Sequence, residues 1–280
     1  MAGLVLLLNL VCVAAGQNLT QEQGFNARRT LSIGYIIFPG FEPLDVYGPL
    51  EILFEACVPL CDPCLDVSLS YNYKMTLATI AHTTGPISSR IPPQRMDDND
   101  SSSPRDDFGF MLGPSMLATH TFEDAPALDV IIVPGGLGNS ALIQANDTAI
   151  ESFIARRFTA ADYVLSVCTG AVSLARAGVL SAWATSYGDN VTWVPSARWV
   201  EDGKVWTSSG VAAGMDMTYA FLKHLYGTEM LDAVMNGIEY APHVDPHWDP
   251  FSVVHDVPGA DKNRSLGDCI APVGYAATCS

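Results

Sequence analysis

Apolar residues along this chain fall into two kinds of run. Short, nearly unbroken runs occur at Leu31–Phe38, Val130–Val133 and Tyr163–Val167, with a further strand region at Tyr71–Ile80. Runs without a polar alternation predict strands buried on both faces, as in a parallel sheet. Between them apolar residues return at helical spacing. The segment Leu44–Phe54 reads as helical in its second half, with Asp45 capping the turn and Pro49 near the first helical position. Asp147–Phe158 is amphipathic; Val211, Met215, Leu222 and Leu225 mark another helix face, and Met230–Ile238 a further helix. Asp202-Gly203 inside Val200–Thr207 predicts a hairpin. Strands alternating with helices predict an α/β fold: a three-layer sandwich around a mostly parallel central sheet, in a single domain.

The polar stretches set the boundaries. Residues 17–30 read as a flexible lead-in and residues 31–251 as the domain. Residues 92–108, rich in Asp, Ser and Pro, read as a surface insertion. Residues 252–280 form a C-terminal tail. Residues 1–16 carry the apolar run Leu4–Ala15 with no acidic residue and end in small residues, the pattern of a cleaved signal peptide. That run is short for a membrane span. Five Asn-x-Ser/Thr sequons, at Asn18, Asn99, Asn146, Asn190 and Asn263, point the same way, toward a secreted glycoprotein.

The formal charge of −16 argues against nucleic acid and anionic membrane surfaces as partners. An oxidising compartment favours disulfides. Of seven cysteines, Cys12 leaves with the leader, and Cys269–Cys279 is the easiest local bridge among the rest. Cys57, Cys61 and Cys64 resemble metal-ligand spacing only superficially. His243, His247 and Asp249 lie in a proline-rich stretch that presents no helical ligand face. The expectation is no metal.

Candidate chemistry sits at Cys168, where the Tyr163–Val167 run passes through Thr169-Gly170 into a helix ending near Gly178. A side chain at such a strand-to-helix corner is pushed out above the sheet edge. The positive end of the following helix favours thiolate over thiol. The competing local reading is a small buried hydrophobe. The run at Val130–Val133 leads into Pro134-Gly135-Gly136-Leu137-Gly138, whose glycines let backbone N–H groups approach a ligand. Parallel neighbours would bring this turn and Cys168 together at the carboxyl end of the sheet. A thiolate beside free N–H groups suits acyl-transfer-like chemistry.

These motifs together resemble the ThiJ/PfpI superfamily, with its class I glutamine amidotransferase-like fold. The resemblance is carried by Phe38-Pro39, Leu44-Asp45-x-x-Gly48-Pro49, Val133-Pro134-Gly135-Gly136-x-Gly138, Ser166-Val167-Cys168-Thr169-Gly170, Leu174-Ala175-Arg176-Ala177-Gly178, Asp202-Gly203, Thr207-Ser208-Ser209-Gly210 and Glu239-Tyr240. Within the superfamily it runs to isocyanide hydratases and their secreted fungal relatives. It implies that Cys168 is the nucleophile and Asp45 the acid beside it. It also implies that Gly135, Gly136 and Thr169 supply anion-stabilising N–H groups, with Gly138 and Gly170 in the same substrate-binding turns. The Thr169 hydroxyl would bind substrate or water. The activity implied is cofactor-free hydration of a small-molecule isocyanide to an N-substituted formamide. Glyoxalase-like or amidase chemistry at the same cysteine, or a non-catalytic binding or redox role, are the alternatives. Relatives are commonly homodimers. One departure follows Ala184-Thr185, where hydratases continue Thr-His-Trp and this chain has Ser186-Tyr187-Gly188. No histidine is tied to Cys168, so a Cys-His-Asp triad is not expected.

Overall fold

The computed structural model describes residues 19–58, 73–95, 105–180, 194–227 and 229–263. The leader-like segment, Asn18, Asn99, Asn190, Cys61, Cys64, Cys269, Cys279 and the departure after Thr185 lie outside the described residues. The unbroken apolar runs are the sheet strands: β1 (Leu31–Ile36), β2 (Met75–Ala81), β6 (Val130–Val133) and β7 (Tyr163–Val167). A small antiparallel pair, β3 (Gly85–Ser88) with β4 (Ser115–Ala118), and the two-residue β5 (His120–Thr121) come between β2 and β6. The hairpin at Asp202-Gly203 is β8 (Trp199–Asp202) and β9 (Val205–Ser208).

The seven-stranded sheet has the order β5-β2-β1-β6-β7-β9-β8, and every pairing in it is parallel except β8 with β9. Four consecutive residues of β6 are all buried, as strands covered on both faces require. Helices α2 (Pro43–Cys57), α3 (Gly138–Gln144), α4 (Ala149–Arg157), α5 (Gly170–Arg176), α6 (Val211–Tyr226) and α7 (Glu229–Gly237) join or cover the strands. The chain leaves β1 toward β2 on one side and returns to β6 on the other. The β1/β6 boundary is therefore the switch point where open α/β sheets form their crevice.

Three boundaries differ from the sequence expectation. The lead-in is not loose: α1 (Gln21–Asn26) is closed by a Thr20–Gln23 capping box, and buried Asn26 donates to the Leu225 carbonyl at 3.3 Å. Arg29 adds ion pairs to Asp129 and Asp162. The polar stretch 92–108 is anchored at its ends, where buried Gln94 donates to the Leu137 carbonyl at 3.0 Å and bridges Asp106. Packing also continues past residue 251, because α8 (Pro250–Val254) buries Ser252. Asp249, considered above as a metal ligand, instead holds this arm to the body. Its carboxylate accepts from Arg198 at 3.1 Å and Ser209 at 2.6 Å, while Arg198 reaches Asp216 at 2.7 Å. Asp216 in turn accepts from Tyr240 and from the His243 N–H, so one buried arginine ties α6 to the arm.

Helix α2 starts six residues earlier than Pro49. Pro43 takes the first helical position, and Pro49 lies inside the helix. A proline there cannot donate to the carbonyl four residues back, which belongs to Asp45. The buried Tyr35 hydroxyl of β1 donates to that carbonyl instead. Tyr35→Phe is expected to lower stability by about 1–3 kcal/mol, the cost of a buried carbonyl without a donor. In a Pro49→Ala background, where residue 49 regains its N–H, the same substitution is expected to cost less. Urea unfolding of the four proteins measures the difference, and equal costs in both backgrounds would disprove the exchange of donors.

Candidate functional site

Three neighbouring strands deliver the site to one edge. After β1 the chain turns at Pro39-Gly40 into α2, which carries Asp45 in its first turn. After β6 comes the turn through Gly135 and Gly136 into α3. After β7 comes Cys168, directly before α5. Cys168 has φ 54, one of four non-glycine residues with positive φ among those described. The sharp corner expected from Thr169-Gly170 is thus taken by the cysteine itself. A non-glycine residue held there stores strain of order 1–3 kcal/mol, and such strain collects at functional sites.

Close approach explains the glycines around this corner. A Cβ on Gly170 would lie 2.2 Å from the Val133 carbonyl, and one on Gly138 would lie 2.0 Å from the Pro39 carbonyl. These two glycines let the three strand ends converge. Of the N–H groups expected to face substrate, those of the Gly135-Gly136 turn are engaged elsewhere. Gly135 N–H donates to Asp45 Oδ2 at 2.8 Å, Gly136 N–H to Thr169 Oγ1 at 2.9 Å, and Gly138 N–H to the Gly40 carbonyl at 3.0 Å. The Thr169 hydroxyl is likewise occupied, donating to Asn139 Oδ1 at 3.0 Å. Asn139, on α3, reaches Ser173 on α5. Neither residue was singled out by the sequence. Their one signal was position, a few residues into the helices that follow the two turns.

Asp45 is fully buried. Its Oδ2 holds Gly135, while Oδ1 has no hydrogen-bond partner. Burial pushes its carboxyl up to about 7; the Gly135 N–H opposes the rise and Glu42 adds to it. Half-buried Cys168 is also pushed up, by burial first and then by Asp45; the Thr169 backbone and hydroxyl pull it down. The expectation from sequence is that free N–H groups and the positive end of α5 favour thiolate; burial and the neighbouring Asp45 act in the opposite direction, and the Thr169 backbone in the expected one. Both cysteines among the described residues, Cys57 and Cys168, are free thiols.

A cavity of about 1050 Å³ opens beside the thiol among the described residues. Its lining includes Cys168, Thr169, Val179, Val211, Phe251 and Ser209. Arg198 and Lys204 also face it. Arg198 is held by Asp216 and Asp249, and the Lys204 ammonium by the Phe158 and Ala161 carbonyls. Of the predicted sequons, Asn146 and Asn263 are exposed and stand apart from this site.

A cysteine on a strained corner at the switch-point edge of a parallel α/β sandwich, paired with a buried acid, defines a class of cysteine enzyme. The chain belongs to the DJ-1/PfpI family, whose pattern matches residues 104–224. It is 32% identical over 222 residues to the isonitrile hydratase of Pseudomonas putida, spanning 76% of this chain and 79% of that protein. The fold is similar to that of a ThiJ/PfpI family protein from Pseudomonas syringae, with TM-score 0.56, 22% identity, and 82% and 84% of the two chains covered. Drosophila melanogaster DJ-1beta is similar with TM-score 0.53 and 18% identity, over 76% of this chain and 100% of that one.

Because Asp45 holds its proton to about 7 in the folded state against an ordinary 3.8, the folded protein binds a proton that the unfolded chain has released. The stability this confers is complete below about pH 4 and is lost as the pH rises through 7. Asp45→Asn keeps an acceptor for Gly135 and removes the buried charge. It is expected to be more stable than the wild type by roughly 2–4 kcal/mol at pH 8 and equal to it at pH 4, by chemical denaturation at the two pH values.

Proposed function

We propose that this protein is a cysteine-dependent hydratase that converts an uncharged isocyanide to an N-substituted formamide. One observation favours this over amide hydrolysis. An amidase must stabilise a negative oxygen, and the Gly135 and Gly136 N–H groups suited to that task are engaged by Asp45 and Thr169. Addition of a thiolate to an isocyanide instead builds negative charge on carbon. That step requires a proton donor, and a buried carboxyl that keeps its proton to about 7 is one.

The Cys168 thiolate bonds to the isocyanide carbon while Asp45 gives that carbon its proton, leaving a thioimidate and the Asp45 carboxylate. The carboxylate then takes a proton from water as the hydroxyl adds to the same carbon. The nitrogen receives the second proton, from the new hydroxyl, as the carbon–sulfur bond breaks. Formamide leaves, and thiolate and protonated Asp45 are restored. The reacting pair needs one proton shared between Cys168 and Asp45. Turnover should therefore rise as the pH passes about 7 and fall again only above the raised Cys168 ionisation.

The cavity supports an apolar N-substituent, because its two cationic groups are already neutralised or hydrogen-bonded by the protein. The leader-like residues 1–16 and the exposed sequons at Asn146 and Asn263 support an enzyme that acts outside the cell. With cyclohexyl isocyanide, formamide release followed by NMR should fall to background in Cys168→Ala and by about 100-fold or more in Asp45→Asn. A carboxylate-bearing isocyanide should be a poorer substrate. Full turnover by Cys168→Ala, or amide hydrolysis with no formamide formation by the wild type, would refute the reading.

A further inference from the structure

We propose that Phe251, on the arm after Trp248, is a specificity-determining residue that selects bulky apolar N-substituents over small ones. The proposal deepens the hydratase reading and rests on it for the substrate class. Its basis is the place of the cavity relative to the thiol. Asp45 is held at the turn after β6. The cavity is lined instead from the ends of β7 and β9, the start of β8 and the arm. The sheet order β6-β7-β9-β8 puts Cys168 between the two. An isocyanide with its carbon at the sulfur, within reach of Asp45, therefore extends its N-substituent toward β9 and β8.

Strand register measures how far the substituent must reach. Val167 pairs with Ser208, so Ser209 continues beside Cys168. The Ser209 N–H donates to the Arg198 carbonyl at 3.0 Å, which places Arg198 one strand further along the same edge. Cys168 and Arg198 are thus two strand spacings apart, about 10 Å. The Phe251 ring packs against the Arg198 guanidinium, whose carbon lies 5.8 Å from the ring centroid. Phe251 nevertheless remains 51% exposed and lines the cavity. A methyl substituent is too short to cross the gap from the sulfur. A benzyl or cyclohexyl group spans most of it and buries apolar surface against the Phe251 ring.

The arm holds this ring in place. Arg198 N–H donates to the Pro246 carbonyl at 2.8 Å, and Asp249 N–H to the Ser196 carbonyl at 2.7 Å. The Asp249 carboxylate accepts from Arg198 Nη1 at 3.1 Å and from the Phe251 N–H at 3.2 Å. One carboxylate thereby fixes both the guanidinium and the backbone of the residue packed on it. An apolar surface placed in advance needs little ordering when a ligand meets it.

The test compares alkylation of Cys168 by N-benzyl and N-methyl iodoacetamide, followed by peptide mapping. The ratio of the two rates is read, so a change in thiol ionisation, which moves both, cancels. Phe251→Ala is expected to lower the benzyl-to-methyl ratio about 10-fold. Val254→Ala truncates a side chain of α8 that is 61% exposed and does not line the cavity, and it should keep the wild-type ratio. An unchanged ratio in folded Phe251→Ala overturns the proposal. An equal fall in Val254→Ala also overturns it, because a loosened arm would then be the cause. If Phe251→Ala does not fold, Phe251→Leu decides in its place, with a fall of about threefold expected and the wild-type ratio overturning the proposal. The same fall is expected in kcat/KM for formamide release from benzyl isocyanide relative to methyl isocyanide, and a wild-type ratio there counts against Phe251 equally. Absence of formamide from the wild type sinks the hydratase reading and leaves the alkylation ratio to decide the role of Phe251.

Discussion

Burying a carboxyl group with a single hydrogen bond is costly, and the arrangement of this protein around Asp45 shows how that cost is met. The group keeps its proton well past the usual carboxylate range, so at mildly acidic pH no net charge is buried. Its Oδ2 is held by the turn after β6 and its backbone carbonyl by Tyr35 of β1. One residue of α2 is thereby fixed to two adjacent strands. The thiol after β7 then shares its surroundings with an acid that cannot swing away. Burial raises the ionisation of both groups, and the Asp45 carboxylate raises that of Cys168 further.

The convergence of three strand ends is a second constraint, and glycine supplies it. Side chains at 138 or 170 would collide with the carbonyls of Pro39 and Val133. The turns can therefore interlock, and their N–H groups satisfy the protein's own acceptors. The same glycines that suggest an anion pocket in the sequence are used to close one.

Much of this was legible in the chain. The strands β1, β6 and β7 announce themselves as unbroken apolar runs, Asp202-Gly203 marks its hairpin, and Cys168 sits where a strand pattern becomes a helix pattern. What was hidden depends on partners distant in sequence. Gly135 and Asp45 are 90 positions apart, and nothing near either predicts the bond. Asp45 resembles a helix cap because aspartate favours that role; its place in the first turn of α2 emerges only because Pro43 begins the helix and Tyr35 compensates for Pro49. The Arg198 network was similarly silent, although an acid at Asp216 inside an otherwise apolar helix face was a signal available to be used. The lead-in looked loose because its polar residues were read as solvated, whereas Thr20 and Gln23 close a short helix and Asn26 is buried against α6.

The two ends of the sheet bear on how this protein behaves at high concentration. An exposed strand edge is a template for pairing with another chain, and long flat edges invite it. Here one edge is β5, only two residues long. The other is β8, which runs antiparallel to its neighbour and places Glu201 and Asp202 in solvent. Neither offers an uncharged run of free backbone groups. The apolar strands β1, β6 and β7 are kept in the middle, where each has a neighbouring strand on both sides.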